Sequence, residues 1–206
     1  MKIKAVIFDL DNTIISVYSI GNELFKPLFN LIEKRYDYIG NVEDIKKDIM
    51  RKPFHRIALE YHFSETLLKD GLEILNSLTA DMKMNVFDDY REIRKIPCKK
   101  FLVTVGFTKL QQGKIKHLGI EKDFDEIQIV DPEKSDQTKK DVFKDILHRY
   151  KLELEDLLVV GDDPTSEIQA AIDLGVKAVL YDKMNFNPQR TDINRITDFC
   201  QLMDFL

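Results

Sequence analysis

Ile3-Lys4-Ala5-Val6-Ile7-Phe8-Asp9-Leu10-Asp11-Asn12-Thr13 is the stretch on which the fold turns. From Ala5 to Phe8 it is apolar without polar alternation, the habit of a parallel-sheet strand covered by helices on both faces. The second half is acidic. In open parallel sheets ligands bind beyond the carboxyl ends of strands, so these acids stand where a site is expected. Residues two apart on extended backbone point the same way, which aims Asp9 and Asp11 into one crevice. Their mutual repulsion is relieved by a divalent cation or a shared proton. A solvated turn is the competing reading, because Asp and Asn are common where strands end.

Four later segments share the apolar character of the first: Phe101–Val105, Ile127–Val130, Leu157–Val160 and Ala178–Tyr181. Helical patterns separate them. Lys109–Leu118 runs into Gly119, a C-cap signal, and Thr165–Leu174 closes on Gly175. Lys139–Tyr150 carries Val142, Phe143, Ile146 and Leu147 at helical spacing. This alternation predicts a doubly wound α/β sheet. The region Ile14 to Ile96 breaks the rhythm, with amphipathic stretches at Leu24–Arg35, Val42–Met50 and Ser64–Leu78 and no buried strand. The expected division is a core of residues 1–14 and 97–206, and an inserted helical cap of 15–96.

A second acidic strand end follows at Val159-Val160-Gly161-Asp162-Asp163-Pro164. Taken alone, Gly-Asp-Asp reads as a helix N-cap. Two acidic ends in one sheet favour a shared site, and clustered carboxylates suit a hard cation such as Mg²⁺.

Composition narrows the setting. The 206 residues carry 31 Lys+Arg against 36 Asp+Glu, a formal net charge of -5, with 44% hydrophobic residues, 8 Gly and 6 Pro. That apolar share excludes intrinsic disorder and low complexity. The net charge argues against duplex nucleic acid, and Lys46-Lys47, Lys99-Lys100 and Lys139-Lys140 make no basic face. No stretch approaches the roughly 20 apolar residues of a membrane helix. The run Ala5–Phe8 is too short for a signal-peptide core. The expectation is a cytoplasmic protein with no membrane partner. Cys98 and Cys200 stand in no metal-ligand spacing and are expected buried or idle in a reducing compartment. Neither heptads nor an apolar stripe indicates an oligomeric state.

In chain order these motifs resemble those of the haloacid dehalogenase (HAD) superfamily. Asp9-Leu10-Asp11-Asn12-Thr13 resembles its D-x-D-x-T signature. Phe101-Leu102-Val103-Thr104-Val105-Gly106 resembles its hydroxyl motif, in which Thr or Ser ends a strand. Gly161-Asp162-Asp163, with Glu167 five residues beyond the first acid, resembles its final acidic motif. Gln111, Lys114, Leu118, Gly119 and Ile120 also fall at a subfamily's usual spacing. The resemblance covers nearly all of residues 1–11 and 100–182, whereas the cap shares only position and helical character.

The resemblance implies a Rossmann-like parallel-sheet core with an inserted helical cap. It further implies a Mg²⁺-dependent phosphomonoester hydrolase that works through an aspartyl-phosphate on a small phosphorylated metabolite. Asp9 would be the nucleophile, and Asp11 the general acid and then base. Asp9, Asp162 and the backbone carbonyl of Asp11 would hold the metal, with Asp163 and Glu167 as further ligands or their neighbours. The Thr104 hydroxyl would bind phosphoryl oxygens. The family's usual lysine position falls on Gln137, followed by Thr138 in place of Pro, which leaves Lys134, Lys139 and Lys140 as candidates. A subfamily spacing selects Lys139. Two further departures are Val105, where many relatives have Asn, and Asp163, where relatives frequently carry Ser. Asp11 argues against a dehalogenase, because halide leaving carbon needs no proton. A phosphomutase stays open, as does a non-catalytic phospho-ligand or partner-binding protein, the latter because of Gln137.

The cap offers less. The basic cluster Arg51-Lys52-Pro53-Phe54-His55-Arg56 reads as ordinary surface, with contact to an acidic or phosphorylated substrate as the alternative. His55 and His62 lack a third ligand and make no metal site. Phe25, Phe29 and Tyr36 are expected to pack the cap.

Overall fold

The computed structural model describes residues 2–206. Six parallel strands form one sheet: β1 (Ala5–Phe8), β2 (Lys99–Val105), β3 (Glu126–Val130), β4 (Leu157–Gly161), β5 (Lys177–Tyr181) and β6 (Arg195–Ile196). Their spatial order is β3-β2-β1-β4-β5-β6. Ile7 of β1 is in register with Phe101 on one side and Val159 on the other.

The strands lack alternation because both faces are covered. Ala5, Ile7, Phe101, Val103, Leu157 and Val159 pack into one apolar cluster. Val142, Phe143 and Ile146 of α8 (Lys139–Tyr150) and Ala171 of α9 (Glu167–Leu174) close that cluster. Their neighbours Val6, Phe8, Leu102, Leu158 and Val160 point to the other face. There they meet α7 (Thr108–Leu118) and the segment between β1 and β2. The glycines expected to end α7 and α9 do so in the left-handed region, Gly119 at φ 63° and Gly175 at φ 76°, a conformation that costs glycine nothing.

Between β1 and β2 the chain forms α1 (Gly21–Leu24), α2 (Lys26–Arg35), α3 (Val42–Ile49), α4 (Phe54–Glu60), α5 (Glu65–Ser77) and α6 (Arg91–Arg94). The predicted helices correspond to α2, α3 and α5. The short α1, α4 and α6 were not predicted, nor was the two-residue β6. Pro53 directly precedes α4, where its fixed φ suits helix entry. His62 lies past the end of that helix at φ 51°, so it shares no helix face with His55. One expectation needs correction. Tyr36 is 73% exposed, while Phe25 and Phe29 are buried as expected. Cys98 is only half-buried and Cys200 is exposed. Among the described residues no helix is long and apolar enough to cross a membrane.

Strand order fixes where the site falls. From β1 the chain moves outward to β2 and β3, then returns to the far side of β1 for β4 and β5. The crevice beyond the carboxyl ends of β1 and β4 is therefore the switch point of the sheet.

Candidate active site

Asp9 follows the last residue of β1 and Asp162 the last residue of β4, so adjacent parallel strands deliver them side by side. Glu167 opens α9 and turns back toward them. Oxygens of these three acids all lie within 4.8 Å of one another, and the residues are 6%, 6% and 2% exposed. Gly161 makes room for this. A Cβ there would sit 2.1 Å from Glu167 Oε1, a position any other side chain would contest.

Lys139 supplies the positive charge. Its Nζ lies 2.6 Å from Asp9 Oδ1 and 2.7 Å from Glu167 Oε2, in buried contacts. Lys140 instead reaches Asp173 at the surface, and the exposed Lys134 pairs with Asp131. The Thr138–Asp141 capping box starts α8 so that Lys139 is its first residue. Gln137 lies outside the helix and is exposed.

Glu167 spends both oxygens on protein, since Oε1 accepts from the Asp163 backbone N–H at 2.8 Å. Asp163 Oδ1 accepts from both the Thr165 N–H and hydroxyl at 2.7 Å each. Asp9 Oδ2 and both Asp162 carboxylate oxygens have no hydrogen-bond donor among the described residues.

The electrostatics show what this cluster lacks. Burial pushes the Asp9 carboxyl up from 3.8 to about 7, with Lys139 opposing and Glu167 adding to the rise. Burial also holds Asp162 well above the ordinary carboxylate range, reinforced by Glu167, Asp9 and Asp163. Burial disfavours the charge on Lys139, but Asp9 and Glu167 outweigh it and raise its pKa. Three carboxylates against one ammonium leave two negative charges unbalanced in a low-dielectric crevice. A divalent cation between free oxygens of Asp9 and Asp162 restores neutrality, so the donor set fits Mg²⁺.

Asp11 lies apart from this trio. Its carboxylate accepts from Lys114 Nζ at 2.7 and 2.8 Å and from Gln111 Nε2 at 3.0 Å. Gln111 Nε2 also reaches Thr104 Oγ1 at 2.7 Å, joining the end of β2 to Asp11 through α7. Lys114 and Gln111 were noted in the sequence only for their spacing. A better signal was available: they stand three apart on α7, between Leu110 and Ile115, and so put polar groups on an apolar helix face. Asp9, Asp11, Thr104, Lys139, Asp162, Asp163 and Glu167 all line one cavity of about 140 Å³. The segment between β1 and β2 forms its opposite wall, including Phe25, Met50, Arg51 and His55. Those last two belong to the cluster read as ordinary surface, and for them that reading is corrected.

A family model described as haloacid dehalogenase-like hydrolase matches residues 3–175. The chain is 23% identical over 205 residues to a mouse (Mus musculus) protein named N-acylneuraminate-9-phosphatase, covering 87% of this chain and 82% of that one. A haloacid dehalogenase-like family hydrolase from Streptococcus pneumoniae superposes with a TM-score of 0.72 at 18% identity, covering 98% of both chains. The HAD-hydrolase YfnB from Bacillus subtilis, solved bound to magnesium, superposes with a TM-score of 0.65 at 18% identity, covering 100% of this chain and 99% of that one.

Proposed function

The chain belongs to the haloacid dehalogenase-like hydrolase family, and we propose that it is a Mg²⁺-dependent phosphomonoester hydrolase acting on a small phosphorylated metabolite. One observation carries the reading: buried Asp9, Asp162 and Glu167 converge, with Lys139 bonded to the first and last. The curated relatives named as phosphatases support the reaction class. Their identity of 22–23% does not extend to a substrate.

Asp9 is the nucleophile. One of its carboxylate oxygens attacks phosphorus in line, forming an aspartyl-phosphate while the ester oxygen leaves. Asp11, aimed by Lys114 and Gln111, protonates that leaving oxygen and then takes a proton from the hydrolytic water. Lys139 balances charge on Asp9 and on the phosphoryl group. The Thr104 hydroxyl, already a hydrogen-bonding partner at the end of β2, holds a phosphoryl oxygen. Asp9, Asp162 and the Asp11 backbone carbonyl hold Mg²⁺, while Glu167 and Asp163 orient the site from one shell out. Bound Mg²⁺ supplies Lewis-acid neutralisation of the phosphoryl group against the anionic nucleophile. Residues 15–96 act as the cap that walls the cavity.

The test is hydrolysis of p-nitrophenyl phosphate with Mg²⁺, run beside Asp9→Asn. The wild type is expected to turn over, and the variant to lose about 10³-fold or more in kcat. A variant as active as the wild type contradicts the reading. A sugar-phosphate isomer as product, in place of inorganic phosphate, identifies a mutase instead.

A further inference from the structure

The cavity is lined by five basic side chains, and all but one of them meets an acid. Lys139 is held by Asp9 and Glu167, and Lys114 by Asp11. Lys52 pairs with Asp48 and Glu60, and His55 with Glu133. Arg51 is the exception. Its guanidinium makes no ion pair or hydrogen bond among the described residues, and its Nε is buried without a partner. An N–H enclosed without a partner is unfavourable, and an anionic group entering the cavity would supply its acceptor.

The guanidinium is nevertheless fixed in place. Its Cζ lies 4.1 Å from the centroid of the Phe186 ring, which packs against Tyr18 from the other side of the crevice. Phe186 sits on the loop after β5. The buried Asp182 anchors that loop by accepting from the backbone N–H groups of Phe186 and Asn187 at 2.6 and 3.1 Å. Asn187 Nδ2 then donates to the backbone carbonyl of Asp162 at 3.0 Å. One short loop therefore sets both the acid at the end of β4 and the aromatic platform under Arg51. A planar guanidinium stacked on a ring keeps its fork of N–H donors free and pre-oriented, the arrangement suited to an oxyanion.

We infer that the substrate carries a second anionic group, a carboxylate or a second phosphate, and that Arg51 receives it while its ester phosphate lies at Asp9. This rests on the phosphomonoesterase reading and narrows its substrate class. Arg51 thus acts in specificity, by giving the far end of the substrate a charge-assisted contact that a neutral ester cannot make.

The experiment compares kcat/KM for glycerol 3-phosphate with that for 3-phosphoglycerate, which has a carboxylate in place of the hydroxymethyl group, and for glycerol 1,3-bisphosphate, which adds a phosphate. Each is measured in the wild type, Arg51→Met and Arg51→Lys. The readout is the ratio of anionic to neutral ester, which a partly unfolded sample leaves unchanged. At least one ratio is expected to be tenfold or more in the wild type, to fall toward one in Arg51→Met, and to recover in part in Arg51→Lys. The larger of the two ratios identifies which anion the site takes. A wild-type ratio near one, or a ratio that survives in Arg51→Met, overturns the inference while leaving the hydrolase reading intact. Absence of any Asp9-dependent hydrolysis overturns that reading itself.

Discussion

At Asp11 the carboxylate meets Lys114 and Gln111, both buried on α7. Asp9, two residues earlier, meets Lys139. Two carboxylates on one strand end thus receive different partners, and the proposed mechanism assigns them different work, attack to Asp9 and proton transfer to Asp11. If Lys114 acts by aiming Asp11, its loss should matter most where the leaving group needs a proton. Lys114→Met is expected to lower kcat on an alkyl phosphate by about 10- to 10²-fold, within the usual worth of general acid catalysis. It should lower kcat far less on p-nitrophenyl phosphate, whose leaving group departs unprotonated. An equal fall on both esters would mean that Lys114 merely stabilises the fold. The sequence made Asp9, Asp11 and Asp162 legible because acids at apolar strand ends are rare enough to notice. It could not show that the Asp11 carboxylate turns to α7 instead of joining the other two, since that depends on a buried lysine 103 residues away.

Helix α8 carries the choice among three neighbouring lysines. Its apolar spacing placed the helix at Lys139–Tyr150, and the Thr138–Asp141 capping box fixes the first helical residue as Lys139. Its burial was not legible, because Lys134, Lys139 and Lys140 are chemically alike and only the docking of α8 on the sheet separates them. That docking is secured at the far end. Arg149 binds Glu126 of β3 through both carboxylate oxygens at 2.7 and 2.6 Å, and Tyr150 adds a contact at 2.9 Å. Hydrogen bonding to Arg149, against the opposing effect of burial, lowers the Glu126 pKa from 4.5 to about 2. A carboxyl depressed in the folded state stabilises above its unfolded pKa and loses that contribution as pH falls through the folded one. Glu126→Gln should therefore cost about 1 kcal/mol at neutral pH, solvent screening holding the figure down. The difference from wild type should shrink between pH 4.5 and 2. Chemical denaturation across that range checks it, and a pH-independent difference would count against the ion pair. The helices and strand missed from sequence, α1, α4, α6 and β6, are two to seven residues long. Such lengths are too short for a period to register.

Across the whole molecule, the order β3-β2-β1-β4-β5-β6 places two acidic strand ends side by side, and the helical segment between β1 and β2 closes over them. Contacts that hold that segment down near the site include His55 to Glu133 at 2.9 Å and Arg56 to Thr165 at 2.8 Å. The α/β core was readable because continuous apolar strands and capped helices alternate. The wall opposite Asp9 was not, because which face of a helical insert meets the core is a tertiary outcome, and Arg51 looked like any surface arginine. The proposed metal site is built on a buried trio of acids whose charge a single lysine leaves uncompensated. Its most direct test is an anomalous difference map from crystals grown with Mn²⁺ in place of Mg²⁺. One ion per chain in coordinating contact with both Asp9 and Asp162 is the predicted result. A cavity without an ion at saturating Mn²⁺, or an ion seated on Asp163 away from Asp9, would contradict it.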